Sequence, residues 1–202
     1  MAKTHEAEVR RTLRDVTVAV LVTDLFEEEE LASPKQALEE QGARVVVLSL
    51  TSDPVRAARH DEPTQDSYRV DRLVGESNAE EFDALLLPGG VGNADKLRLV
   101  PEAQAFVQAF QATGRPLAVI CHGPWLLVSS GLVKGRTLTS FATLQDDIRN
   151  AGGTWVDKEV VRDGNWVSSR KPADLPAFNR EFISMIKTSV ADKIAVGSPT
   201  AV

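Results

Sequence analysis

Leu117-Ala118-Val119-Ile120-Cys121-His122-Gly123-Pro124-Trp125 is the stretch whose reading decides the fold. The apolar residues up to Ile120 read as a short buried strand, Cys121-His122 as a sharp turn, and Pro124 as the start of a helix, where its missing N–H costs nothing. Cys121 is the only cysteine in the chain and His122 one of three histidines. A thiol between a strand end and a helix start occupies the place where α/β hydrolase-type folds hold a nucleophile. The turn departs from Gly-x-nucleophile-x-Gly at its first small position, which is Val119, and keeps the second as Gly123.

Working outward, strands and helices alternate. Val16 to Val22 is a nearly continuous apolar, β-branched run, as expected of a strand covered on both faces. Asp24 is expected to cap a helix starting near Phe26, with the acidic run Glu27 to Glu30 in its first turn and Gly42 at its end. Arg44 to Leu50 is the next strand, and the three elements form a right-handed βαβ unit. Residues 51–75 are polar, contain two prolines and read as an excursion, with short edge strands within Ser67 to Val74. Asp83 to Leu87 returns to the sheet and runs into Pro88-Gly89-Gly90. Short helical segments at Ala79 to Phe82 and Asp95 to Leu99 and a helix from Pro101 to Gly114 surround that strand. Beyond the apex come a helix over Gly123 to Ser130, a strand over Arg136 to Thr139 and a helix over Leu144 to Ala151. A hairpin follows, formed by Trp155 to Arg162 and Trp166 to Ser169 across Asp163-Gly164-Asn165. Pro172 to Val190 is a long helix with Phe178, Phe182, Met185 and Ile186 on one face.

The expected fold is therefore α/β: a doubly wound, mostly parallel sheet flanked by helices in a three-layer sandwich. The expected organisation is a leader or surface arm at 1–14, one domain at 15–191 and a loose tail at 192–202. Ligands of such sheets bind beyond the C-terminal strand ends, and Asp24, Gly89-Gly90 and Cys121 all lie just past one.

The 202 residues, 43 % hydrophobic and 26 % charged, are enough for one sizeable core. A net charge of −6 argues against coating nucleic acid or anionic membrane. The single cysteine excludes an internal disulfide and suits a reducing compartment. No apolar run approaches membrane-span length, and Met1 to Arg14 lacks a secretory h-region, so the expected location is cytoplasmic.

A free cysteine is commonly a small buried hydrophobe. At a helix N-terminus, however, its pKa is expected to fall, and the thiolate is the nucleophile. His122 can serve as base and then as acid. Within the acidic run, Glu27 and Glu30 lie one turn apart, and either can tuck under the sheet edge with a raised pKa. The backbone N–H groups of Gly90 and His122 can form an oxyanion hole. His5 and His60 receive no role. There is no GxGxxG, Walker A loop or metal-ligand cluster, so no cofactor or metal is expected.

Four motifs together resemble a known family. They are Phe26-Glu27-Glu28-Glu29-Glu30-Leu31, Glu81-Phe82-Asp83-Ala84-Leu85 through Pro88-Gly89-Gly90, Ile120-Cys121-His122-Gly123-Pro124, and Asp163-Gly164-Asn165-Trp166-Val167-Ser168-Ser169-Arg170 with Pro172-Ala173-Asp174-Leu175. Over about residues 16–188 the chain is similar to the PfpI (intracellular protease I) family of the class I glutamine amidotransferase-like superfamily. That superfamily also holds the parkinsonism-associated deglycase. The resemblance implies a flavodoxin-like sheet, Cys121 as nucleophile, His122 as its histidine and Glu30 as the protonated carboxyl at the thiol. It implies Asp95, from a neighbouring subunit, as the triad acid, where the archetypal protease has Glu. The active site would then lie at the interface of a homodimer or larger oligomer. The implied activity is that of a stress-related cysteine hydrolase, peptidase-like or deglycase/glyoxalase, acting on small carbonyl compounds, glycated adducts or peptides. The alternative is a redox sensor or chaperone whose cysteine is oxidised rather than catalytic.

Overall fold

The computed structural model describes residues 13–197, with side chains to residue 192. Its centre is a seven-stranded sheet. In chain order the strands and helices are β1 (Thr17–Leu21), β2 (Phe26–Glu27), α1 (Glu28–Glu40), β3 (Arg44–Ser49), β4 (Val55–Arg59), β5 (Glu62–Tyr68), β6 (Arg72–Leu73) and β7 (Ala84–Leu87). Then come α2 (Val91–Leu97), α3 (Pro101–Ala112), β8 (Leu117–Ile120), α4 (Pro124–Ser129), β9 (Thr137–Leu138) and α5 (Gln145–Asn150). The last are β10 (Thr154–Trp155), β11 (Val160–Asp163), β12 (Trp166–Ser169) and α6 (Leu175–Gly197).

The sheet order is β11-β12-β8-β7-β1-β3-β6. Every neighbouring pair is parallel except β11 with β12. From β1 the chain moves outward to β3 and β6, then returns to place β7 on the other flank of β1. The order thus reverses between β1 and β7, the point where doubly wound sheets leave a crevice above their C-terminal ends.

Strand alternation sorts the core into two layers. Val18 and Val20 of β1 face one side and pack with Leu31 and Leu38 of α1 and Phe178 and Phe182 of α6. Ala19 and Leu21 face the other, with Leu97, Phe106, Phe110, Leu126 and Ile148 of α2 to α5. The three-layer sandwich expected from the sequence is the architecture observed.

Several boundaries differ. Leu25 adopts a left-handed φ of 65°, which turns Phe26–Glu27 out to pair with β4. The first helix therefore starts at Glu28, not near Phe26. Asp24 does not cap it; its Oδ1 accepts the Arg56 N–H at 2.9 Å. The excursion holds a hairpin, β4–β5, turned at His60 and Asp61 with φ of 53° and 65°. Positive φ at both positions is the turn geometry usually announced by Asn-Gly, and neither that pair nor an apolar alternation marks it here. Trp155 does not belong to the β11–β12 hairpin, because it pairs with Leu138 in a separate two-stranded sheet. The last helix runs on through Gly197, past the Asp192 at which a loose tail was expected. Leu13 is already buried in the core and donates its N–H to the Gln41 carbonyl at 2.8 Å. Residues 1–12 of the expected leader, with His5, lie outside the described residues, as do 198–202.

Leu85 on β7 is fully buried between β1 and β8. Leu85→Ala is expected to lower the unfolding free energy by about 2–5 kcal/mol, read as a reduced denaturant midpoint with an unchanged slope. A midpoint within error of wild type contradicts this packing.

Candidate active site

Three strand ends meet above the switch point: β1 through the start of α1, β7 through Pro88-Gly89-Gly90, and β8 through Cys121. Cys121 has φ of 59°, a left-handed conformation that a non-glycine residue adopts at a cost of roughly 1–3 kcal/mol. Its surroundings hold it there: its N–H donates to the Ser169 carbonyl at 3.1 Å and its carbonyl accepts the Phe141 N–H at 2.9 Å. The second small position of the elbow is obligatory, since a Cβ on Gly123 would lie 2.6 Å from the Leu87 carbonyl oxygen. Val119 is tolerated at the first because its side chain joins the α2–α5 layer of the core.

His122 is 7 % exposed. Its Nδ1 lies 3.2 Å from the Cys121 Sγ and its Nε2 3.4 Å from the Thr143 Oγ1. The ring stacks on Phe141 and leans on Trp125, with centroids 4.8 and 5.3 Å away. Burial lowers its pKa, and the negative charge of Asp61 opposes that fall. Neutral His122 can therefore accept the thiol proton at Nδ1 when Nε2 carries the hydrogen toward Thr143.

Glu30, and not Glu27, faces the sulfur. It is 0 % exposed. Its Oε2 accepts the Gly89 N–H at 2.7 Å, and its Oε1 is buried with no hydrogen-bond partner among the described residues. Burial pushes its pKa up to about 8, against the lowering effects of the Gly89 N–H and the Cys121 thiol. Near neutrality Glu30 is thus mostly protonated and can donate a hydrogen bond to a thiolate. Glu27 is also raised by burial, but its Oε2 accepts the His60 N–H at 2.9 Å and so holds the hairpin tip.

Burial, and then the charge of Glu30, push the Cys121 thiol upward; the N–H groups of Gly90 and His122, both aimed at it, pull downward. This corrects the expectation of a dipole-lowered thiol. The helix behind it, α4, spans only Pro124 to Ser129, and in a buried site desolvation outweighs so short a dipole. Protonating Glu30 removes the second cause of the rise, so the proton on Glu30 and the charge on sulfur favour each other.

Gly89 lies against the thiol: a Cβ there would come within 2.7 Å of both the Cys121 Cβ and the Glu30 Oε2, and 2.8 Å of the His122 N. The structure thus brings Cys121, His122, Glu30 and Gly90 together. Asp95 is exposed on α2, and among the described residues the polar partners of the His122 ring are Cys121 and Thr143. Among the described residues no group of His, Cys, Asp and Glu could hold a metal ion.

Sequence reasoning missed Asp61 and Asn93. Asp61, at the hairpin tip, accepts the Val91 N–H through Oδ1 at 3.2 Å, and its charge reaches His122 and Glu30. Asn93 is buried beneath the glycine turn.

The DJ-1/PfpI family profile matches residues 16–185. The chain belongs to the DJ-1/PfpI family. Family relatives include the deglycase PfpI of Pyrococcus furiosus, 42 % identical over 84 % of this chain and 99 % of its own length. The putative cysteine protease YraA of Bacillus subtilis is 40 % identical over 84 % and 98 %. The protein/nucleic acid deglycase 2 of Escherichia coli is 39 % identical over 84 % and 96 %. Among solved structures, a two-domain protein of Anabaena variabilis superposes with a TM-score of 0.79 at 34 % identity. That match covers 84 % of this chain and 47 % of the other, which also carries a ferritin-like domain. DJ-1 of Schizosaccharomyces pombe shares the fold, with a TM-score of 0.75 at 20 % identity over 91 % of this chain and all of its own.

Two outcomes test the electrostatics. A buried carboxyl whose folded pKa is raised stabilises the protein below its unfolded value near 4.5 and loses that contribution as pH rises through about 8. Glu30→Gln has no such loss, so its melting temperature is expected to gain on wild type as pH climbs across that window. A difference independent of pH from 4.5 to 9 rules out a raised Glu30. Asp61→Asn removes the charge that opposes the burial of His122. The His122 ring is then expected to titrate at lower pH than in wild type by NMR, and an unmoved or higher midpoint contradicts the assignment.

Proposed function

We propose that this family member is a cysteine-dependent hydrolase of the deglycase type, acting on carbonyl compounds and on the adducts they form with amino groups. The observation that carries the reading is the Cys121 thiol held between a neutral imidazole at 3.2 Å and a carboxyl raised to about 8, at the crevice of the sheet. The names of the deglycase relatives support the substrate class.

The geometry suits attack on a carbonyl. Cys121 Sγ bonds to the carbonyl carbon while its proton passes to His122 Nδ1, and the π pair of the carbonyl moves onto oxygen. The N–H groups of Gly90 and His122 stabilise that developing charge. On an acyl adduct the histidine then returns the proton to the leaving nitrogen or oxygen, and water hydrolyses the acyl group from sulfur. On a 2-oxoaldehyde nothing leaves, and the proton goes to the hemithioacetal oxygen. A redox-neutral proton shift from that carbon to the neighbouring carbonyl carbon then gives a thioester that water hydrolyses to the 2-hydroxy acid. Protonated Glu30 keeps the thiolate stable while adding no second negative charge.

In the proposed oligomer, at least a dimer, Asp95 of the partner subunit would orient the His122 ring from its Nε2 side. A cytoplasmic stress role, detoxifying reactive carbonyls, fits a reduced cysteine. Among the described residues no helix is long and apolar enough to cross a membrane.

Cys121→Ala is expected to reduce turnover of methylglyoxal and of glycated thiols or amines by about 10³-fold or more; wild-type turnover in that variant overturns the reading. Mixing Cys121→Ala with Asp95→Asn subunits is expected to restore part of the activity each lacks alone, because one composite site regains both groups. No restoration in a confirmed mixed oligomer removes Asp95 from the site.

A further inference from the structure

One buried polar side chain at the site is unused by these steps. Asn93, in the first turn of α2, is 0 % exposed, and its amide is fully engaged. Its Oδ1 accepts the Thr23 N–H at 2.8 Å, just past β1. Its Nδ2 donates to the Pro88 carbonyl at 3.1 Å and to the Gly89 carbonyl at 2.9 Å, just past β7. Both donor hydrogens are spent on two successive peptide units.

The peptide geometry turns this grip into an orientation. In a planar trans peptide the N–H points opposite to the C=O. The Pro88 carbonyl shares its plane with the Gly89 N–H, which donates to Glu30 at 2.7 Å. The Gly89 carbonyl shares its plane with the Gly90 N–H, which points at the Cys121 sulfur. Holding both carbonyls beneath the turn therefore aims both N–H groups above it. Two consecutive glycines have the widest backbone freedom available, so they do not hold this orientation unaided. The other hydrogen bond to the Gly89 carbonyl, from the Glu27 N–H, is long at 3.4 Å.

We propose that Asn93 is the positioning residue of the active site, aiming the Gly89 N–H at Glu30 and the Gly90 N–H at Cys121 and at the oxyanion formed beside it. The proposal rests on the reading of Cys121 as nucleophile. Asn93 touches neither substrate nor sulfur; it acts through the backbone of the turn.

The test is Asn93→Ser, which adds no charge and cannot reach both carbonyls. With the two N–H groups released, the anionic forms of Cys121 and Glu30 lose a donor each. The pH profile of iodoacetamide alkylation at Cys121 is then expected to move to higher pH. The kcat is expected to fall by about 10²-fold, the scale of one lost oxyanion donor, with KM little changed. A variant that melts cooperatively yet keeps the wild-type alkylation profile and kcat overturns the proposal. If Asn93→Ser does not fold, hydrogen exchange in the wild-type protein decides: slow exchange of the Gly89 and Gly90 amides supports a clamped turn, and exchange at the rate of an open loop overturns it. Alkylation needs no substrate, so a wild-type protein that lacks turnover defeats the proposed activity alone.

Discussion

The hydrogen bond from the Gly89 N–H to Glu30, at 2.7 Å inside the protein, is the constraint on which the site depends. A carboxyl with no exposure cannot easily carry a full charge, and one backbone donor does not replace its hydration. The proton that burial keeps on Glu30 lets a thiolate form beside it without two negative charges in contact. The same bond brings the glycine turn so close to Cys121 that no side chain fits between them. Electrostatics and sterics thus act at one point: the turn supplies N–H groups to both acids and closes the space above them.

The strain at Cys121 belongs to the same arrangement. A left-handed cysteine between a fully buried strand and a short helix persists because β12 on one side and Phe141 on the other take its backbone groups. The imidazole is trapped between Phe141 and Trp125, so its Nδ1 has one orientation to offer the sulfur. From the hairpin tip Asp61 adds a negative charge that moderates the effect of burial on His122.

Much of this was legible in the sequence, for identifiable reasons. The buried strands announce themselves because parallel strands covered on both faces are continuously apolar, as in Val16 to Val22. The elbow announces itself because the only thiol of the chain stands between such a run and a proline. From helical spacing alone Glu30 was legible as one of two candidates, since Glu27 and Glu30 fall on the same side, and the resemblance singled out Glu30. In the structure the choice depends on the β4–β5 turn, where the His60 N–H captures Glu27. The direction of the thiol shift was not legible, since it depends on desolvation by residues distant in sequence. Asp61 was hidden because its turn uses His and Asp in left-handed conformations without the usual turn pair. Asn93 was hidden because an asparagine near a helix start reads as a solvated polar residue until its three partners are in place.

Asn93 reaches across 70 residues to Thr23, and Glu30 across 59 to Gly89. The pieces of the site are thus scattered from Thr23 to Thr143, and what unites them is the order of strands rather than any contiguous segment. It follows that the site cannot be transplanted as a module or borrowed by grafting the elbow onto another sheet. A host would have to reproduce the reversal between β1 and β7 before a cysteine at that turn met its acid and its histidine together.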